Sequence, residues 1–282
     1  MNAETFNGLW YIHEPFANRM EGIILPRLAA GFDPFPIHLR QNAAISWNDK
    51  DGEFSPVRYF LRECLRNGGG DVAVIPIIGA MSRFGLCGQG NEFYISVLAE
   101  AAAEPAVKAV VLKFTSPGGT VDSTEPFADA VANSPKPTIG FVAGMAASAA
   151  VFVLSQCDMI IVEDSGSTEM GSIGVLAIHV DQSGAMEKQG IKVTIIRATE
   201  SVDKMRVNPV EPLKEEILQE IQDSANLSLK SFKGYVRRGR AGKLKSDEVF
   251  TAKMYKNKQS IPLGLADRAG TLADAIKIAR SM

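Results

Sequence analysis

From Asp71 onward, short apolar runs alternate with segments whose apolar positions recur at helical spacing. The runs "VAVIPIIG" (72–79), "VKAVVLKF" (107–114), "PTIGFVA" (137–143) and "DMIIVED" (158–164) are nearly continuous in valine, isoleucine, leucine and phenylalanine. Such runs predict strands buried on both faces. Between them "NEFYISVLAEAAAE" and "STEPFADAVANS" have the length and spacing of surface helices. The alternation predicts an α/β fold with a mostly parallel sheet and flanking helices. "SIGVLAIHVD" and "IKVTIIRA" extend the strand pattern, with "SGAMEKQG" as a helix between them. In "EPLKEEILQEIQDSANLSLKSFKGYVRRG", Leu213, Ile217, Ile221, Ala225, Leu229, Phe232 and Val236 form a stripe along a long helix.

Before Asp71 the pattern is weaker. Residues 1–70 mix aromatics with Pro15, Pro26, Pro34 and Pro36 around one candidate helix, "ANRMEGIILPRLAAG", and end in "NGGGD". That glycine run reads as a flexible boundary between an N-terminal extension (1–70), suited to docking or assembly, and a main domain (71–282).

Composition narrows the function classes. The chain has 282 residues, 46% hydrophobic, with 30 basic against 32 acidic side chains, which is enough for a sizeable core and offers no global field for nucleic acid. A local basic cluster, Arg237, Arg238, Arg240, Lys243 and Lys245, reads as a solvated face, so a nucleic-acid partner is not expected. Cys64, Cys87 and Cys157 are scattered, as are His13, His38 and His179. No metal site or cofactor is expected, and the thiols read as reduced. The opening "MNAETFNGLWYIHEPF" lacks a secretory signal, so the mature chain is expected to start at Met1. The uncharged stretch 137–157 is long enough to span a bilayer, but its strand, glycine and alanine-rich helix pattern fits a soluble core.

Candidate chemistry gathers where strands give way to helices. Ser148, in "VAGMAASAAVFVLSQCD", lies near a helix start, where free backbone N–H groups can stabilise negative charge. On local sequence alone the favoured reading is a serine packed in an alanine-rich helix, its hydroxyl bonded back to a carbonyl one turn earlier, and other residues must point to chemistry. "FTSPGGTVD" (114–122) offers a tight turn with Gly118 and Gly119, one possible wall of an oxyanion hole whose second N–H would come from Ala149. A proton acceptor is needed: His179 or a desolvated lysine such as Lys204.

"SPGG", then "AAS", then "GSIGV", then Lys204 four residues before "NP" and followed by "EPL", resemble in order and spacing the serine peptidase family of signal peptide peptidase A. "VAVIPIIGAM" and "MGSIGVLAIHVDQSGAMEKQGIKVTIIRA" resemble its phage branch of head proteases. The resemblance, over about residues 70–275, implies a Clp protease/crotonase-like fold. It also implies a Ser/Lys dyad, with Ser148 as nucleophile and Lys204 as general base. Ser172 would aim the lysine, Gly119 and Ala149 would supply oxyanion N–H groups, and Gly118 would shape the turn. Implied partners are polypeptide substrates, among them phage scaffold, portal or capsid proteins, and further copies of the chain in a homo-oligomer with its active site near a subunit interface. Implied locations are the host cytoplasm or the phage prohead. The chain departs from the family at Ala149, where glycine is usual, at Met170, where threonine is usual, and in lacking a glycine before Lys204. A housekeeping signal peptide peptidase, a crotonase-type acyl-CoA enzyme and a non-catalytic assembly protein are the rival readings.

Overall fold

The computed structural model describes the backbone of residues 9–12 and the whole of residues 55–85 and 88–282. The helix expected at 17–31 and the aromatic residue Phe16 lie outside the described residues.

The main sheet is assembled from β2 (Val72–Ile78), β3 (Ala109–Ser116), β5 (Thr138–Ala147), β6 (Met159–Glu163) and β10 (Arg268–Gly270), in the order β10-β6-β5-β3-β2, every pair parallel. β7 (Glu169–Gly171) adds in parallel to the far end of β5, and β9 (Met254–Lys256) pairs antiparallel with β7. A second, three-stranded antiparallel sheet places β1 (Leu9–Ile12) between β4 (Gly118–Thr120) and β8 (Leu176–Ala177).

Strand alternation sorts the core into two layers. Ala73, Ile75, Ile77, Val110, Leu112 and Phe114 face one side, which is covered by α1 (Pro56–Asn67), α2 (Asn91–Ala103), α3 (Thr124–Ala132), α4 (Ala149–Leu154) and the long α6 (Glu215–Gly239). Val72, Val74, Ala109, Val111, Ile139, Phe141 and Ile161 face the other and pack against Ala275 and Ala279 of α7 (Leu272–Ser281). This is the α/β architecture that the hydrophobic pattern predicts. In the α6 stripe, Ile217, Ala225, Phe232 and Val236 are buried.

Three local expectations change. "NGGGD" is an ordered turn: Gly69 and Gly70 sit at φ 82° and 93°, and the amides of Gly68 and Gly70 both donate to the Leu65 carbonyl. Glycine takes this left-handed backbone without steric cost. Across that turn, α1 buries Leu61 and Cys64 in the main core, so residues N-terminal to Asp71 help build it. "IKVTIIRA" has no regular structure, and only Leu176–Ala177 of "SIGVLAIHVD" is strand. That arm instead exposes Ile191, Val193, Ile196, Val202 and Met205 to solvent. Between the arm's two halves, α5 (Ser183–Lys188) forms where expected.

The basic cluster is engaged within the chain. Arg237 pairs with Asp247, Arg238 with Asp129, and Arg240 and Lys243 both with Asp267. No helix among the described residues is long and apolar enough to cross a membrane. The uncharged stretch folds as β5 and the six-residue α4.

Candidate active site

Gly144 does not end β5. The strand passes through it at φ 74°, and the register with β3 jumps from Phe114↔Val142 to Ser116↔Ala146, a bulge that bends the strand's last residues. Glu163 fixes the bend by accepting the Gly144 amide at 3.1 Å. On one edge of β5, residues 139–142 pair with β6 and residues 145–147 pair with β7. The expected helix around Ser148 therefore starts later: Ser148 is the corner itself, the residue between β5 and α4.

That corner is strained. Ser148 has φ 54° and ψ −114°, outside the regions that side-chain-bearing residues favour, and it is fully buried. Its amide donates to the Gly171 carbonyl at 2.8 Å and its carbonyl accepts from Phe152 at 3.0 Å, so ladder and helix both hold it in place. No side chain caps α4. The first-turn N–H groups, beginning with Ala149, have no partner within the helix and carry its positive dipole end. The Ser148 hydroxyl reaches the Gly174 carbonyl only at 3.5 Å, a weak contact that leaves it available.

The Pro-Gly-Gly turn lies close by in the topology. Met81 bridges to Gly119 in parallel fashion: its amide donates to the Gly118 carbonyl at 2.8 Å and its carbonyl accepts from Thr120 at 2.9 Å. In that pattern the backbone groups of Gly119 point the opposite way, toward β1. The Gly118 amide is occupied by the Ser116 hydroxyl at 3.2 Å, and that hydroxyl donates to the Gly79 carbonyl at 2.7 Å. Gly118, at φ 96°, thus shapes the turn, with Ser116 as its buried brace. The serine of "SPGG" was visible in the sequence, but its role depends on a carbonyl 37 residues away.

A side chain at Gly119 has no room: a Cβ there would sit 1.7 Å from the Met81 carbonyl oxygen. Gly119→Ala is expected to cost about 1–3 kcal/mol through forced backbone displacement, read as a lowered denaturation midpoint with unchanged m-value.

Ser172 occupies a second tight corner, at φ 56° just past β7, buried, with its amide donated to the Lys253 carbonyl at 2.9 Å. Ser148 and Ser172 thus each directly follow one member of the Ala147↔Gly171 pair, at the same end of adjacent parallel strands. Lys204 is placed differently, on the exposed arm, and among the described residues its ammonium makes no hydrogen bond or ion pair. Its loop is nevertheless fixed. Arg197 donates to the carbonyls of Lys204 at 2.6 Å and Met205 at 3.0 Å while forking onto Glu211. Asn208 closes the ring by donating to Glu211 at 2.9 Å. The Arg197 hydrogen bond holds the Glu211 carboxyl below its ordinary range. Sequence reading did not find this clamp, since an arginine and a glutamate 14 residues apart carry no local signature. His179, the other candidate base, lies against the Asn208 carbonyl at 3.0 Å.

The profile of peptidase family S49 matches residues 130–282, more than half of the chain. The chain belongs to peptidase family S49. Among its relatives, a protein of Methanocaldococcus jannaschii named as a protease is 31% identical over 66% of this chain and 59% of its own length. Capsid assembly protease C of Escherichia phage lambda is 28% identical over 74% of this chain and 48% of its own length. Head-tail preconnector protein GP5 of Enterobacteria phage P21 is 27% identical over 73% and 42%. This S49 chain therefore spans about half the length of these relatives. The S49 match includes Ser148, Ser172 and Lys204 and starts after the Gly118–Gly119 turn.

Proposed function

We propose that this chain is a serine endopeptidase with a Ser148/Lys204 dyad, acting in phage or prophage head maturation on scaffold, portal or capsid polypeptides. The observation that carries the reading is the strained Ser148 corner, which holds a hydroxyl beside the uncapped N-terminus of α4. A serine that served only packing would not need a backbone conformation costing about 1–3 kcal/mol. The similarity to two phage proteins, one named as a capsid assembly protease, favours head maturation over a housekeeping role.

The chemistry is acyl transfer. Lys204 takes the Ser148 proton, the alkoxide attacks a peptide carbonyl, and the N–H groups of Gly119 and Ala149 hold the oxyanion. Lys204 returns the proton to the leaving amine, and water then releases the acyl group from Ser148. Ser172 orients the lysine without adding charge. The mechanism needs an uncharged amine, which requires cover from solvent. Among the described residues of a single chain Lys204 is exposed, and the arm that carries it presents a row of exposed apolar side chains. A neighbouring copy seated on that arm would supply the cover, making the active unit a homo-oligomer in the host cytoplasm or the prohead.

A peptidyl fluorophosphonate tests the dyad directly. The full chain is expected to gain one adduct mass on the peptide containing Ser148, and Lys204→Ala is expected to suppress it. An unlabelled Ser148, under conditions that label a control serine hydrolase, would reject the proposal.

A further inference from the structure

β1 is the one strand of the small sheet drawn from outside the core, and its position is specific. It pairs antiparallel with β4 through Trp10↔Thr120, Tyr11↔Gly119 and Ile12↔Gly118, and with β8 through Leu9↔Ala177 and Trp10↔Leu176. Because Gly118 and Thr120 spend their inner groups on Met81, Gly119 faces Tyr11 as the hydrogen-bonded pair. Extending the β8 register by two residues sets Ile12 opposite Gly174, whose carbonyl accepts the Ser148 hydroxyl. One four-residue segment thus lies between the turn assigned to the oxyanion and the strand that follows Ser172 and Gly174.

We infer that Leu9–Ile12 occupies, in cis, the groove that takes an extended substrate backbone, so these four residues are an intramolecular plug of the cleft. The inference rests on reading Ser148 as the nucleophile of a peptide-cleaving site. β4 and β8 are each short, three and two residues, and a peptide inserted between them gains backbone pairing on both edges. β1 has that arrangement already. An incoming polypeptide must displace it or enter only while it is released. The apolar sequence Leu-Trp-Tyr-Ile is suited to an extended backbone. In the plugged state the Gly119 N–H is committed to Tyr11, so the oxyanion hole is incomplete until β1 leaves.

A binding measurement in the full chain carrying Ser148→Ala separates occupancy from turnover. The probe is a fluorescein-labelled peptide of residues 7–14, read by anisotropy, with and without Tyr11→Pro. Proline removes the amide that faces Gly119. A plug that fills the groove nine-tenths of the time weakens apparent affinity about tenfold, so Tyr11→Pro is expected to tighten probe binding about tenfold. Ile12→Pro, which acts on the β8 edge, is expected to do the same. Amide exchange at Gly119 should be slow in the parent, fast in Tyr11→Pro, and slow again with peptide added. Unchanged affinity in both variants, or Gly119 exchange indifferent to Tyr11→Pro and to peptide, overturns the plug. If the fluorophosphonate adduct on Ser148 still forms in that case, the peptidase reading survives alone. If the adduct is absent but Tyr11→Pro tightens peptide binding, the plugged groove stands as a binding site without chemistry.

Discussion

Ser148→Ala is expected to abolish hydrolysis, lowering kcat by about 10⁴-fold or more, the scale seen when a catalytic serine is removed, and to leave the fold intact. The two halves of this result follow from the same geometry. The hydroxyl's contact with the Gly174 carbonyl is 3.5 Å long, so its loss costs no more than about 1 kcal/mol. The backbone that holds the corner, through Gly171 and Phe152, is untouched by the change. Ser148→Gly goes further, because glycine accepts φ 54° without penalty. It is expected to match or exceed the parent's melting temperature while remaining inactive. The assay is cleavage of candidate head proteins alongside thermal melts of all three chains. A serine that served packing would show the reverse, with stability falling and processing retained.

Arg240→Leu is expected to destabilise the fold by about 3–5 kcal/mol, the cost of stripping one partner from a buried ion pair. The Arg240 side chain is 0% exposed. It donates twice to Asp267, at 2.9 Å each, and once to the Gly264 carbonyl at 2.9 Å. Leucine leaves that carbonyl unpaired and Asp267 with Lys243 and the Ile160 amide alone. The melting temperature should fall by about 10 °C. Burial pushes the Asp267 carboxyl up, but the hydrogen bonds from Arg240 and Lys243 hold it below its ordinary 3.8. A carboxyl whose folded pKa is depressed stabilises fully above its unfolded value, and loses that contribution as pH falls through the folded one. The parent should therefore weaken below about pH 4, and Arg240→Leu should show less of this acid sensitivity. The consequence reaches the candidate site, because α6 carries Arg240 at its C-terminal cap and Phe232 in its interior. Phe232 packs on Phe152 of α4, ring centroids 4.8 Å apart and tilted by 33°, and α4 is the helix that begins after Ser148.

The parallel sheet was legible because β2, β3, β5 and β6 are buried on both faces, and burial writes itself as a continuous apolar run. α2, α3, α5 and α6 were legible from their spacing. The corner at Ser148 was misjudged by a few residues, because Gly144 looks like a turn in sequence. Its left-handed φ is spent on a bulge that only the register with β3 reveals. "IKVTIIRA" has the composition of a strand, but a strand needs an edge to pair with, and among the described residues the arm pairs with none. Ser116 and the Arg197–Glu211 clamp escaped notice for a related reason: each acts through backbone carbonyls brought near only by folding. The pairing of Leu9–Ile12 with β4 and β8 spans more than a hundred residues in each direction of register, and no local pattern encodes it.

The second face of the main sheet has a consequence for how the molecule is made. Val72, Val111, Phe141 and Ile161 are all in place by residue 161, yet the helix that shields them spans 272–281. During synthesis that oily surface waits more than a hundred codons for the helix that packs on it. A nascent chain at this stage is a natural client for a ribosome-associated chaperone, and the wait ends only when α7 docks.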